Sequence, residues 1–125
     1  MSKYMSNEFF QELVAALSTD TKWAESIKGL KTSILWTVTD TGTSNLLSVD
    51  QGTTSAQASP QGATPEFTFE GTYDAWCKVG KGEVDIQSAV MRGQLKFKGS
   101  ITKVMMYRDK LMRVDEVIKN MQKEF

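Results

Sequence analysis

A chain of 125 residues, with 40% apolar and 24% charged side chains and zero net charge, is long enough for one domain with one sizeable core. It contains no histidine and a single cysteine, Cys77. That excludes Ser-His-Asp and Cys-His catalysis, zinc sites built on imidazole, and an internal disulfide.

No apolar run approaches the roughly 18 residues that a membrane-spanning helix needs. The opening MSKYMSNEFF lacks the apolar core of a secretory signal, and the closing KEF is not a Ser-Lys-Leu address, so a cytoplasmic location is the expectation. The neutral total hides an uneven distribution. Through Cys77 there are four basic and nine acidic residues; from Lys78 onward there are eleven and six. From Arg92 to Arg113 seven bases meet one acid, Asp109. Such a run attracts carboxylates, phosphates or an anionic membrane surface, and equally describes a solvated face.

In chain order, Glu8 to Leu17 repeats Phe9, Phe10, Leu13, Val14 and Leu17 at helical spacing, with Asn7 or Ser6 as its cap. A second short helix follows Asp20 with Trp23 and Ile27 one turn apart, and Gly29 stops it. Lys31 to Thr39 alternates as a strand, placing Ile34, Trp36 and Val38 on one face. Asp40-Thr-Gly-Thr turns the chain, and Leu46 to Gln51 forms a second strand after a moderately long hairpin loop. The stretch Gly52 to Thr64 has no large apolar residue; it reads as a flexible loop, or as a short edge strand around Thr54 to Ala58 followed by a turn at Pro60. Phe67 and Phe69 mark the next strand. Thr72 caps a helix carrying Tyr73, Trp76 and Cys77, which ends at Gly80-Lys81-Gly82.

The stretch Val84 to Met106 combines a short helix, a turn at Gly93, an alternating strand, a turn at Gly99 and a new helix. Ile86, Ala89 and Val90 share a face of the first helix. Leu95 and Phe97 share a face of the strand, and Ile101, Val104 and Met105 share a face of the second helix. The remainder to Phe125 is helical, and Arg108 and Asp115 interrupt its apolar stripe, which suits a bend or two separate helices.

This stretch resembles the signature of the sterol carrier protein family, the small sterol-carrier-like lipid-binding domains. Asp85, Met91, Gly93, Leu95, Phe97, Gly99 and Met105 match its acidic helix start, its late Phe or Met, its Gly-x-Leu-x-Ile-x-Gly segment and its terminal methionine. Phe97 stands for the usual isoleucine, and Thr102 and Lys103 replace small or apolar residues. The detailed match covers about a fifth of the chain.

The resemblance implies one domain over residues 1–125. Its fold is α+β (mixed α/β), with about five mostly antiparallel strands covered by helices on one face. It favours the edge strand within 52–64 and the family's strand order. It also implies non-enzymatic binding and transfer of a lipid or fatty-acyl ligand, such as an acyl-CoA or a sterol-like molecule, in an apolar tunnel between sheet and helices. The last helix would be the lid. The side chains expected to line the pocket are Trp36, Phe69, Trp76, Val90, Met91, Leu95, Phe97, Ile101, Val104 and Met105. Head-group contacts are expected from Arg92, Lys103 or Arg108. Flexible methionines in the last third of the chain suit varied apolar guests.

Read from composition alone, each of those apolar residues is plain core, because composition cannot distinguish a filled interior from a hollow one. An alternative function is an accessory or self-associating module, a homodimer for example, whose groove receives a partner helix in lipid or quinone metabolism. Cys77 has no histidine to activate it and reads as a structural thiol. Gly80-Lys81-Gly82 lacks the spacing of a phosphate loop. The carboxylates are scattered, and the basic half lacks interleaved exposed aromatics. Neither catalysis, a cofactor, a metal nor a nucleic-acid partner is expected.

Overall fold

The sheet follows from alternation. In Lys31–Val38 (β2) every second residue is buried, and in Thr43–Asp50 (β3) the same period continues. The two strands pair antiparallel, with Lys31 opposite Asp50 and Val38 opposite Thr43. The strand β3 therefore begins three residues earlier than its apolar residues alone suggest, and the hairpin loop is short. Polar Thr43 to Asn45 lend their backbone to the ladder as readily as apolar residues do, since the ladder bonds are main-chain bonds. On the open face Thr37 and Ser44 are 3.0 Å apart through their hydroxyls.

The structure, a computed structural model, describes residues 2–58, 60–62 and 64–125. Ser59 and Ala63, within the stretch read as loop or edge strand, and Met1 lie outside the described residues. The edge strand exists: Thr53–Ala58 (β4) pairs antiparallel with β3. Phe67–Gly71 (β5) runs parallel to β2, and Lys96–Lys98 (β6) pairs antiparallel with β5. The order β4-β3-β2-β5-β6 is a five-stranded, mostly antiparallel sheet. A minor parallel pair joins Ser2–Lys3 (β1) to Lys123–Glu124 (β7), which no periodicity in so short a segment could announce.

Five of the six helices among the described residues begin at a side-chain cap that satisfies a free backbone N–H. Ser6 caps Asn7–Ser18 (α1), Asp20 caps Thr21–Ser26 (α2) and Thr72 caps Tyr73–Gly80 (α3). Asp85 caps Ile86–Met91 (α4), and Ser100 caps Ile101–Met106 (α5). The chain breaks at Tyr107 before Arg108–Asn120 (α6), so the C-terminal stripe is two helices. Gly93, with φ +75°, closes α4 in the left-handed region.

The helices lie on one face of the sheet. Trp36 at the middle of β2 packs its ring against Phe10, Phe69 and Trp76 at 5.9, 6.0 and 5.4 Å between centroids. The indole of Trp76 donates to the Thr37 carbonyl at 2.9 Å. On the outer side, α6 packs on all five other helices and buries Leu111, Val114 and Ile118. Its Arg113 reaches the Asp20 cap of α2 at 2.5 Å, and its Asp115 accepts from the first amide of α4, Ile86 N–H, at 3.1 Å.

Burial raises the Asp115 carboxyl to a pKa of about 7, with the nearby Asp85 adding to the rise and the Ile86 amide opposing it. A carboxyl that holds its proton longer when folded than when unfolded makes stability fall as pH rises between its unfolded and folded values. We expect the stability of the chain to decline from about pH 4 to about pH 7 by up to roughly 1.4 kcal/mol per pH unit from this group alone. Asp115→Asn keeps the acceptor for Ile86 and should flatten that slope, measured by urea unfolding at a series of pH values.

Candidate functional site

The middle of the domain is solid. Trp36 and Trp76 are 1% and 0% exposed, and the space between the sheet, α2, α5 and α6 holds a void of only about 20 Å³. Room for a guest lies at the sheet's edge instead. There Phe69 of β5 and Phe97 of β6 sit opposite one another, with ring centroids 5.3 Å apart, and form a floor. Gln87, Val90 and Met91 of α4 make one wall, and Ile101, Val104 and Met105 of α5 make the other. The groove holds about 290 Å³.

Seven of the ten expected lining residues converge on this groove: Phe69, Val90, Met91, Phe97, Ile101, Val104 and Met105. Three do not. Trp36 and Trp76 are consumed by the aromatic stack at the centre of the sheet, and Leu95 packs against Gly71, whose missing Cβ leaves it space. A pattern of apolar residues gives the face of an element but not which neighbour that face meets. The last helix is also not the cover of this groove; α5 is, because α6 is engaged with the other helices.

Gly99 explains where α5 sits. Its φ of +136° sends the chain sharply away from β6, and a Cβ there would come within 2.9 Å of the Glu66 carbonyl and of the Phe67 ring. The turn thus brings α5 back over the edge of the sheet. Yet α5 is lightly buried. Val104 is its one buried residue, while Ile101, Met105 and Met106 are 57%, 66% and 71% exposed and Met91 across the groove is 87% exposed. Exposed apolar side chains gathered on one rim are uncommon on a surface with no partner.

Gln87 is a lining residue that the apolar pattern does not flag. It lies three and four residues before Val90 and Met91, hence on the same face of α4, and that spacing is the signal that could have found it. Its Nε2 is buried without a hydrogen-bond partner among the described residues. A buried donor left unpaired costs about 1–3 kcal/mol, so a guest oxygen here gains what water no longer supplies.

The three expected head-group bases separate. Lys103 is spent on Glu66, which also accepts from the Thr32 hydroxyl at 2.5 Å. Burial of Glu66 works against its charge, but the Lys103 ammonium and the Thr32 hydroxyl outweigh it and hold the carboxyl below its usual range. Lys103 is in turn raised by the same contact. Arg92 follows Met91 at the rim, and also borders a separate polar cleft with Asp85, Asp115 and Lys119. Arg92 and Arg108 are exposed and have no ion-pair partner among the described residues. Cys77 is buried, and burial pushes its thiol up despite Tyr73 and Lys81 nearby, as befits a structural group. Among the described residues no cluster of His, Cys, Asp or Glu could hold a metal ion, and no helix is long and apolar enough to cross a membrane.

Residues 10–112 match the model of the SCP-2 sterol transfer family. The chain belongs to that family. Membership places this SCP-2 domain among lipid-binding and lipid-transfer folds in general. No curated protein matches it by sequence. Solved structures match it in fold. A structure described as sterol carrier protein 2 is 20% identical with a TM-score of 0.84, covering 96% of this chain and 100% of the other. A Thermus thermophilus protein described as possibly sterol carrier protein is 19% identical with a TM-score of 0.83, covering 99% and 93%. The stereoselective sec-alkylsulfatase of a Pseudomonas species is 17% identical with a TM-score of 0.64, covering 94% of this chain but 17% of its own. The same fold thus occurs as a whole small protein and as a part of a much longer enzyme chain.

An exposed ion pair is worth little, so Lys103→Met should cost less than about 1 kcal/mol. The same change should raise the Glu66 carboxyl pKa, read by carbon-detected NMR titration, because the largest opposing influence, burial, then stands against Thr32 alone.

Proposed function

We propose that this SCP-2 domain binds, and carries between sites, a fatty-acyl or sterol-like lipid whose apolar body lies in the groove between α4, α5 and the Phe69–Phe97 floor. One observation carries the reading: an apolar groove of about 290 Å³, rimmed by exposed Met91, Ile101 and Met105, at the edge of a sheet whose centre is filled. The seven side chains named above are its contact residues. Trp36, Trp76 and Leu95 support it from behind.

Magnitudes agree with a carrier. Burying about ten methylenes at roughly 0.8 kcal/mol each gives about 8 kcal/mol, and ordering costs offset part of it. Micromolar or weaker affinity follows, which lets a carrier release its cargo. The unpaired Gln87 amide suits a carbonyl, carboxylate or hydroxyl oxygen of the lipid. The acyl carboxylate, or the phosphates of coenzyme A, pairs with Arg92 or Arg108 outside. Lys103 contributes only if it leaves Glu66. A transient meeting with an anionic membrane surface fits the basic run around the same rim.

Native mass spectrometry of protein purified from cells tests the reading directly: acyl or sterol adducts are expected, and their absence together with no displacement of a fluorescent fatty acid would overturn it. Met105→Asp places a charge on the rim at a position 66% exposed. It should weaken fatty-acid binding by about tenfold or more while leaving the melting temperature unchanged, because the penalty falls on the desolvated complex. Arg92→Gln and Arg108→Gln should weaken acyl-CoA binding more at low than at high ionic strength.

A further inference from the structure

The groove and the small interior void come close to each other at one place. The void is lined by Ile34, Phe67, Tyr107 and Leu111 among others, the groove by Phe69, Phe97 and the two short helices, and Val104 is the one residue that lines both. It is also the single buried residue of α5, 7% exposed. We propose that Val104 is a specificity-determining partition: it ends the groove and so sets the length of the chain this domain accepts. The inference rests on the lipid-binding reading above and adds to it the residue that sets how long an acyl chain the groove takes.

The groove of about 290 Å³ takes an acyl chain up to the point where Val104 closes it. Until the groove is full, each added methylene leaves water and tightens binding by about fourfold. Past that point further methylenes remain in solvent, and affinity stops rising. Behind Val104 the void of about 20 Å³ is too small for a chain by itself. Removing the two Val104 methyls joins it to the groove and adds room for about two to three methylenes.

The alternative explanations for a length limit lie elsewhere. Phe69 and Phe97 form a floor that runs along the groove, and Met91 and Met105 are exposed and free to move aside. Among the described residues, Val104 alone lines both spaces; beside it Phe67 of the void meets Phe97 of the groove floor ring to ring at 5.9 Å, and that wall stays in place when Val104 is shortened.

Competition of a fluorescent fatty acid with saturated fatty acids from C8 to C18 tests this. For the unaltered chain, affinity should climb with chain length and then flatten. Val104→Ala should shift the flattening to chains about two to three carbons longer, with octanoate bound as before. Leu111→Ala enlarges the same void from the α6 side with the partition in place, and should leave the flattening point unchanged. If Val104→Ala does not melt cooperatively, Val104→Leu decides: added bulk at the groove's end should lower the flattening point by about one carbon. A flattening point unmoved by either Val104 variant in a cooperatively melting protein, or moved equally by Leu111→Ala, overturns the partition while the lipid reading stands. No displacement at any chain length overturns both.

Discussion

The contact on which the rest depends is the stack of Trp36 on Trp76, backed by Phe10 and Phe69. Large aromatic rings at the centre of the sheet do two things at once. They bury more apolar area than any other side chains could at those positions, and they leave no room there. The central strand β2 therefore holds the helical layer through rings, with the Trp76 indole also bonded to a β2 carbonyl. A domain of this size with its middle filled can host a guest only where the sheet runs out.

At that edge the physical requirements change. The strand β6 has three residues, α4 and α5 six each, and a glycine stands at each corner. Short elements bury little, so their apolar side chains face solvent across a groove instead of closing on each other. Such a segment is the natural place for movement and binding, since few buried contacts hold it. The Lys103–Glu66 pair and Val104 are what fasten α5 to the sheet. The long helix α6, by contrast, is fastened to every other helix, to the cap of α2 by Arg113 and to the first amide of α4 by Asp115, and it serves as the frame.

On the proposed reading, this division would let the domain be stable and still release a guest. Burial energy that maintains the fold comes from the stack and from α1 and α6. Energy for a guest would come from separate side chains, which are exposed in the groove. Altering Met105 or Ile101 would then address binding without loosening the core, whereas altering Trp36 or Trp76 addresses the core.

Much of the architecture was legible from residues near one another in the chain. The alternation in β2 and β5, the capping residues Asp20, Thr72 and Asp85, and the glycine corners at Gly93 and Gly99 are local facts, because caps and turns are decided within a few residues. The family signature from Asp85 to Met105 depends on the same local spacing. What only the tertiary structure decided was the partition of oily residues between filling and lining. Trp36, Leu95 and Phe97 look alike to a periodicity argument, yet the first two are enclosed by Phe10, Trp76 and Gly71, distant in sequence, and the third faces a groove. Likewise Lys103 was spent on Glu66, and Gln87 was left unpaired, by neighbours that the chain brings together only on folding.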